Sequence, residues 1–228
     1  MWQKVKLGIE GPMKIVGQWY LPAADNYFGP LLERTPEGFE IDHLECALTF
    51  VEKFDVAMDV GAHIGTWTVR LARDFKQVYA FEPAPDTYEC LSKNCESYAN
   101  ISLSQSAIGA YGGYGRLDND PTRQGNTGAR ILRGIKGEGS VKVSTLDSFG
   151  LKVLDFLKID VEGYEIGVLQ GGVQTLRRCR PVVLLECKEF VPPRYGGVMA
   201  AVKFLGALGF TKVGGIRNDW VFRHQRLE

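Results

Sequence analysis

The segment Asp59-Val60-Gly61-Ala62-His63-Ile64-Gly65 stands where a short apolar strand, Val56 to Val60, hands over to a helical stretch, Gly65 to Arg73. Glycines at such a junction allow a tight turn and let a ligand approach the backbone closely. The ligand then lies beyond the C-terminal ends of the strands, where the strand order of the sheet reverses. Alone this is a weak signal, because many α/β proteins carry a glycine-rich strand–helix junction. Two neighbours sharpen it. Asp59 stands two residues before Gly61, where a carboxylate repels a pyrophosphate but suits an ammonium group, and the Gly61-to-Gly65 spacing departs from the dinucleotide pattern GxGxxG. Glu82 ends the next strand, in Ala80-Phe81-Glu82-Pro83, about twenty residues on, where an acidic side chain can accept from both hydroxyls of a ribose. A ribose and an ammonium without a phosphate fit S-adenosyl-L-methionine, with Asp59, Gly61, Ala62, His63, Gly65, Glu82 and Pro83 as its candidate contacts. His63 reads as a loop residue packing near that ligand rather than as a base.

Outward from this loop, strand and helix patterns alternate. Strands are expected at Gln77 to Phe81, Ile101 to Ile108, Leu154 to Val161 and Pro181 to Glu186, with helices at Pro83 to Ser97, Tyr164 to Gln170 and Val198 to Leu208. Such alternation argues for βαβ units and a doubly wound, mostly parallel α/β sheet. The last two strands, Phe210 to Val213 and Trp220 to Arg223, have only Gly214 to Asp219 between them. That is too short for a crossover helix, so they should pair antiparallel. Upstream, Val5, Leu7 and Ile9 alternate with polar or small residues, Gly11-Pro12 marks a turn, and Met13 to Tyr20 reads as a second strand, giving an N-terminal β-hairpin arm. Residues 21–38 read as loop and Ile41 to Phe54 as a helix. The organisation expected is an arm and loop over 1–38 and a ligand-binding domain over 39–228. Between Tyr111 and Ser140 the core pattern breaks down, which suggests a substrate-side insertion or a linker.

The bulk properties narrow the partners. The chain has 228 residues, 27 Lys and Arg against 27 Asp and Glu, so no long-range field draws it to a polyanion and nucleic acid is not expected. The densest basic cluster, Arg177, Arg178 and Arg180, suits a helix C-terminus. Five cysteines in no metal-like spacing read as reduced thiols of a cytoplasmic protein. The start of the chain lacks the apolar core of a signal peptide, and no apolar run approaches the ~18 residues that span a membrane. Oligomeric state is not legible.

Several motifs resemble those of the FkbM-type methyltransferases. They are Asp59-Val60-Gly61-Ala62-His63-Ile64-Gly65-Thr66, Val78-Tyr79-Ala80-Phe81-Glu82-Pro83, Thr145-Leu146-Asp147-Ser148 and, most specific, Leu157-Lys158-Ile159-Asp160-Val161-Glu162-Gly163-Tyr164-Glu165 with Val168-Leu169-Gln170-Gly171-Gly172 after it. The strand ending Leu184-Leu185-Glu186 is similar too, and the likeness runs from about Phe39 to Glu189. It implies a class I methyltransferase-like (Rossmann-like) sheet of about seven strands with the last antiparallel, S-adenosyl-L-methionine as methyl donor, and methylation of a hydroxyl. His63 replaces the asparagine common in the family's loop. No acidic residue follows Ala107-Ile108-Gly109, where such enzymes often contact adenine, so Ser106 and Ala107 are the expected adenine contacts.

Asp160 and Glu186 both end apolar strands, and charged residues at such edges face the ligand crevice. Strand alternation would put Lys158, Asp160 and Glu162 on one face, while Glu165 reads as structural. Two carboxylates converging from neighbouring strand ends can act as base and orienter for the acceptor or hold a hard divalent cation such as Mg²⁺. Asp160 is therefore a candidate both for catalysis and for donor contact, and Glu186 for catalysis. The acceptor expected is a small molecule or saccharide, on which Trp19, Tyr20, Tyr111 and Tyr114 could stack, although aromatics at domain edges more often pack. The competing readings are a non-catalytic binding module that keeps the pocket and a nicotinamide-dependent oxidoreductase.

Overall fold

The computed structural model describes residues 12–133, 139–187 and 197–225. In chain order the elements are β1 (Met13–Val16), β2 (Trp19–Pro22), α1 (Phe28–Arg34), α2 (Ile41–Leu48), β3 (Val56–Val60), α3 (Thr66–Asp74), β4 (Gln77–Phe81), α4 (Pro85–Asn94), β5 (Ile101–Ser104), β6 (Ala107–Ile108), β7 (Gly113–Asn119), β8 (Arg130–Arg133), β9 (Val141–Ser144), β10 (Phe156–Ile159), α5 (Glu165–Gln170), α6 (Val173–Cys179), β11 (Val182–Glu186), α7 (Val198–Ala207), β12 (Phe210–Ile216) and β13 (Asp219–His224).

Seven strands form the main sheet in the order β12-β13-β11-β10-β3-β4-β5. Strands β5, β4, β3, β10 and β11 run parallel, and β13 lies antiparallel between β11 and β12. The chain winds outward from β3 to β5, then crosses back to β10 on the other side of β3. The order therefore reverses between β3 and β10, which is where a doubly wound sheet opens its crevice. Alternation along the strands assigns the two faces. Met58, Val60, Leu157 and Ile159 pack with Val168, Leu169 and Leu205 on one side; Ala57, Phe156, Leu184 and Val221 pack with Leu44 and Leu71 on the other. Burial on both faces accounts for the nearly continuous apolar runs of β3, β10 and β11.

Four expectations need correction. Met13 to Tyr20 is not one strand: Gly17 takes the left-handed backbone at φ +61°, the chain turns there, and β1 pairs back on β2. The hairpin thus lies within 13–22, and Val5 to Ile9 fall outside the described residues. Residues 21–38 are not all loop. Asp25 Oδ1 accepts from the N–H groups of Tyr27, Phe28 and Gly29, which satisfies the exposed donors at the start of α1. Ile101 to Ile108 is two strands that part company, β5 in the main sheet and β6 in a second one. The described residues of 111–140 are not simply loop: β7 and β8 join β9 and β6 in a four-stranded sheet of order β6-β9-β7-β8. Most residues of β7 and β8 are partly or fully exposed, with only Gly115 and Leu132 buried, so that stretch shows no core-like pattern.

The arm is packed on the rest of the chain. Trp19, Leu21 and Leu32 share a hydrophobic cluster with Ile64, Val69 and Leu91, and the Asn94 side chain bonds both the N–H and the carbonyl of Tyr20.

Candidate active site

A cavity of about 650 Å³ opens at the C-terminal edge of the main sheet, between the glycine loop, α1, α2 and the second sheet. Its volume falls within the roughly 300–1,000 Å³ usual for small-molecule sites. Of the residues expected around the donor, Gly61, Ala62, His63, Glu82 and Pro83 line it, and so do Ser106 and Ala107. Asp160 and Glu186 line the same cavity. Asp59 and Gly65 do not.

The loop shows why. Gly61 has φ +83°, and a Cβ there would lie 1.7 Å from the Asp160 carbonyl oxygen, so only glycine lets β3 and β10 converge at the crevice. Its N–H and that of Ala62 both donate to the Phe81 carbonyl, at 3.0 and 2.9 Å. His63 also has a left-handed backbone, φ +52°. His is among the side chains that tolerate this conformation best, which explains how His63 can occupy this turn without a glycine. Gly65, φ +93°, is a packing glycine: a Cβ would meet Leu91 Cδ1 at 2.6 Å.

Asp59 is fully buried and does not line the cavity. It accepts from Thr68 Oγ1 at 2.7 Å, and Lys158 Nζ sits 3.1 Å from its other oxygen. Asp59 and Lys158 are register partners across β3 and β10, so their side chains project on the same face. The cation expected beside Asp59 is thus supplied by the chain itself. Lys158 also donates to the Gly61 carbonyl, tying the ion pair to the loop. Burial pulls the Lys158 ammonium down, but attraction to Asp59 and Asp160 outweighs it and its pKa is raised.

Glu82 is the buried carboxylate of the cavity wall. Its oxygens accept from the His63 N–H at 3.0 Å and the Ala84 N–H at 2.9 Å. Burial nonetheless pushes it up to about 7, against those two hydrogen bonds. His63 is moved the other way, by burial, to about 4. Its Nε2 is 3.0 Å from Thr127 Oγ1, and that hydroxyl donates to Asp25 Oδ2 at 2.7 Å. A hydroxyl has one hydrogen, so Thr127 accepts from His63, which is neutral with its proton on Nε2. This geometry suits packing better than proton transfer.

At the other end, alternation places Asp160 on the face of Lys158, Glu186 on that of Leu184, and Asp219 on that of Val221. Glu186 and Asp219 are register partners. Three carboxylates therefore stand in a row across the ends of β10, β11 and β13. Asp160, Glu162 and Glu186 offer oxygens within 4.8 Å of one another, a grouping that could hold a metal ion. Cations of the chain already face two of them: Lys158 Nζ is 4.0 Å from Asp160 and Arg123 Nη1 is 3.0 Å from Glu162. Glu162 has φ +53°, so it leaves the strand geometry that would align it with Lys158. Glu165 accepts from the Gly163 N–H at 2.9 Å, the structural part expected of it.

Sequence reading passed over Thr127, Asp25, Arg130, His43 and Asp219. Arg130 lines the cavity and grips Asp86 with both terminal nitrogens. His43 Nδ1 lies 2.6 Å from Asp219 Oδ2. No local pattern flags these pairs; the partners are 44, 102 and 176 residues apart. The aromatics also differ from expectation. Trp19 is buried and donates to the Pro36 carbonyl, Tyr111 and Tyr114 are exposed off the cavity, and Tyr27 and Phe28 of the arm line it instead. The five cysteines are unpaired. No helix among the described residues is long and apolar enough to cross a membrane.

Numbered within the main sheet, the strand order is 3-2-1-4-5-7-6 with strand 7 antiparallel, and the cavity lies over strands 1, 2 and 4. That is a class I methyltransferase-like arrangement. Residues 59–210 match the methyltransferase FkbM domain, and the chain belongs to that family. Among its relatives, the hexuronic acid methyltransferase AglP of Haloferax volcanii is 29% identical over 161 residues, 68% of this chain and 65% of that protein. Methyltransferase 1 of Beauveria bassiana is 28% identical over 159 residues, covering 54% of this chain and 64% of its own. The chain thus spans just under two thirds of the length of both relatives. A solved structure of methyltransferase FkbM from Methylobacillus flagellatus superposes with a TM-score of 0.49 at 15% identity, over 79% of this chain and 49% of that one.

Proposed function

We propose that the protein is an S-adenosyl-L-methionine-dependent methyltransferase that methylates a hydroxyl of a saccharide or another small molecule. The observation that carries this reading is the joint opening of Glu82 and the Asp160–Glu186 pair onto one cavity in a chain of the FkbM methyltransferase family. The relative named a hexuronic acid methyltransferase supports a saccharide acceptor.

The residues suit the donor. Glu82 is a buried carboxylate with one backbone N–H on each oxygen, and a ribose diol would add the donors that favour its ionised form. Gly61, Ala62, His63 and Pro83 would form the wall beside it, Ser106 and Ala107 the adenine side, and Asp160, adjoining Gly61, would meet the ammonium. Bound there, the donor supplies an electrophilic methyl group on a sulfonium. The protein's work is then orientation: it holds an acceptor hydroxyl in line, keeps water out and directs the hydroxyl proton away. Asp160 and Glu186 are the carboxylates that orient that hydroxyl.

The grouping of Asp160, Glu162 and Glu186 supports a second form of the same chemistry, in which Mg²⁺ lowers the hydroxyl pKa; the facing Lys158 and Arg123 weigh against it. Calorimetry with S-adenosylhomocysteine and NAD, followed by a mass-spectrometric search for extract metabolites gaining one methyl group, tests the reading. Binding of NAD but not of the homocysteine product would overturn it. Activity that survives exhaustive EDTA excludes the metal form, and loss restored by Mg²⁺ establishes it.

A further inference from the structure

The row of strand-end carboxylates does not stop at Glu186. Asp219, opposite Glu186 on β13, is buried and bonded to His43 of α2 at 2.6 Å, and both residues line the cavity. We propose that His43, oriented by Asp219, is the base that receives the acceptor's hydroxyl proton. The inference rests on the methyltransferase reading and names the group that reading leaves out.

Three observations favour it. A carboxylate can only accept, so an ionised Asp219 fixes the imidazole proton on Nδ1 and leaves Nε2 as the nitrogen able to take another. A buried carboxylate on the far nitrogen also stabilises the imidazolium that forms, the division of labour of a histidine–aspartate pair. Imidazoles as a class are stronger bases than carboxylates by more than about two pKa units, and a base is most efficient when its pKa lies near the working pH. Asp160 and Glu186 are therefore suited to hold the hydroxyl, and His43 to take its proton. The step balances: the hydroxyl oxygen bonds to the methyl carbon while that carbon's bond to the sulfonium breaks, the electron pair stays on sulfur, and the O–H proton moves to Nε2. Asp219 is the positioning residue.

The charges that reach the pair are Glu40 at the start of α2, Lys158 on β10 and Asp160 just after it, and Arg217 acts on Glu40 in turn. Burial and Asp160 raise the Asp219 pKa while the bond to His43 lowers it, and the net direction is up. Loss of the His43 bond should therefore disturb Asp219 as well.

The test is ¹⁵N-histidine NMR on the full chain from pH 5.5 to 9, with the His43 signals assigned through His43→Gln. His63 is an internal contrast, since Thr127 holds its proton on Nε2. The expected result is a neutral His43 with its proton on Nδ1, and loss of that tautomer preference in Asp219→Asn. His43→Gln should bind S-adenosylhomocysteine within about threefold of the native chain, yet turn over an acceptor found by the metabolite search on the order of 10²-fold more slowly. A neutral His43 protonated on Nε2, or a His43 that stays charged to pH 9, would overturn the base assignment. Absence of S-adenosylhomocysteine binding in the native sample would instead overturn the methyltransferase reading beneath it.

Discussion

The two ends of the cavity are built in opposite ways. The donor end is made by neighbours in the sheet: the loop after β3, the end of β4 and the Lys158–Asp59 pair between β3 and β10. Each part follows from the register of adjacent parallel strands. The acceptor end is assembled from α1, α2, the second sheet and the β12–β13 turn, through pairs such as Asp25–Thr127 and His43–Asp219. A family can keep the first while replacing the second, because changes in the covering elements need not alter the strand register. The donor end should therefore resist substitution poorly and the acceptor end tolerate it better.

The largest effect expected is at Lys158. Lys158→Met removes the cation beside a carboxylate with no exposure to solvent. Breaking a buried ion pair typically costs about 3–5 kcal/mol, whereas replacing both partners is far milder. Urea unfolding should show a loss of that size for Lys158→Met and a partial return in Asp59→Asn/Lys158→Met. A single-mutant loss below about 1 kcal/mol, the range of exposed pairs, would mean that the pair does not anchor the loop. Next comes Asp160→Asn, which should leave the fold intact, weaken S-adenosylhomocysteine binding through the charge lost beside its ammonium, and cut turnover on the order of 10²-fold or more. Turnover close to native would reduce Asp160 to a structural residue and remove the functional distinction between the two ends.

The same contrast explains what could be read from the sequence. Val56–Val60 and Gln77–Phe81 coincide with β3 and β4, because two-sided burial writes an apolar run into the chain. Glu82, Gly61, Asp160 and Glu186 were legible as cavity residues because their positions follow from strand ends. Asp59 was legible as a special residue but not as the partner of Lys158, since that depends on register between strands about a hundred residues apart. Helix α1 was hidden: it is short, holds Pro30, and its N-terminus is satisfied by Asp25 from outside the helix. Strands β7 and β8 were hidden because only Gly115 and Leu132 within them are buried, which leaves no alternating core signal. His43 and Asp219 carried no signal, as each is one ionisable residue in an ordinary amphipathic element.

A third prediction concerns Glu82. Its carboxyl is held up at about 7 by burial, and ribose hydroxyls favour the ionised form. S-adenosylhomocysteine affinity should accordingly rise from pH 6 to pH 8, by up to about tenfold per unit below 7 and little above it, with net proton release measurable in buffers of different ionisation enthalpy. In the unliganded protein the sign is opposite. A carboxyl raised in the folded state contributes stability that is fully present below its ordinary 4.5 and is lost as pH rises through about 7. Glu82→Gln should flatten both dependences. A native affinity independent of pH would show that Glu82 does not carry the ribose.

The smallest effect should come from Thr127→Val, which probes the acceptor-side cover directly. The Thr127 hydroxyl donates to Asp25 and accepts from His63, so it joins the arm, the second-sheet segment and the glycine loop through one oxygen. Valine keeps the shape and removes that oxygen. Asp25 keeps its bonds to the N–H groups of Tyr27, Phe28 and Gly29, whereas the His63 Nε2–H is left to find another acceptor. One buried donor without a partner costs about 1–3 kcal/mol. The loss should lie at the lower end of that range, because the opening of the cavity offers the freed donor a route to water. Urea unfolding measures the total, and amide hydrogen exchange at Phe28 and Gly128 against that at Gly61 shows where it falls. Faster exchange confined to the first two positions would mark the cover as a separate, weaker unit. Equal acceleration at Gly61, with a loss as large as that of Lys158→Met, would mean that arm, cover and loop open together and that the two ends of the cavity are one cooperative structure.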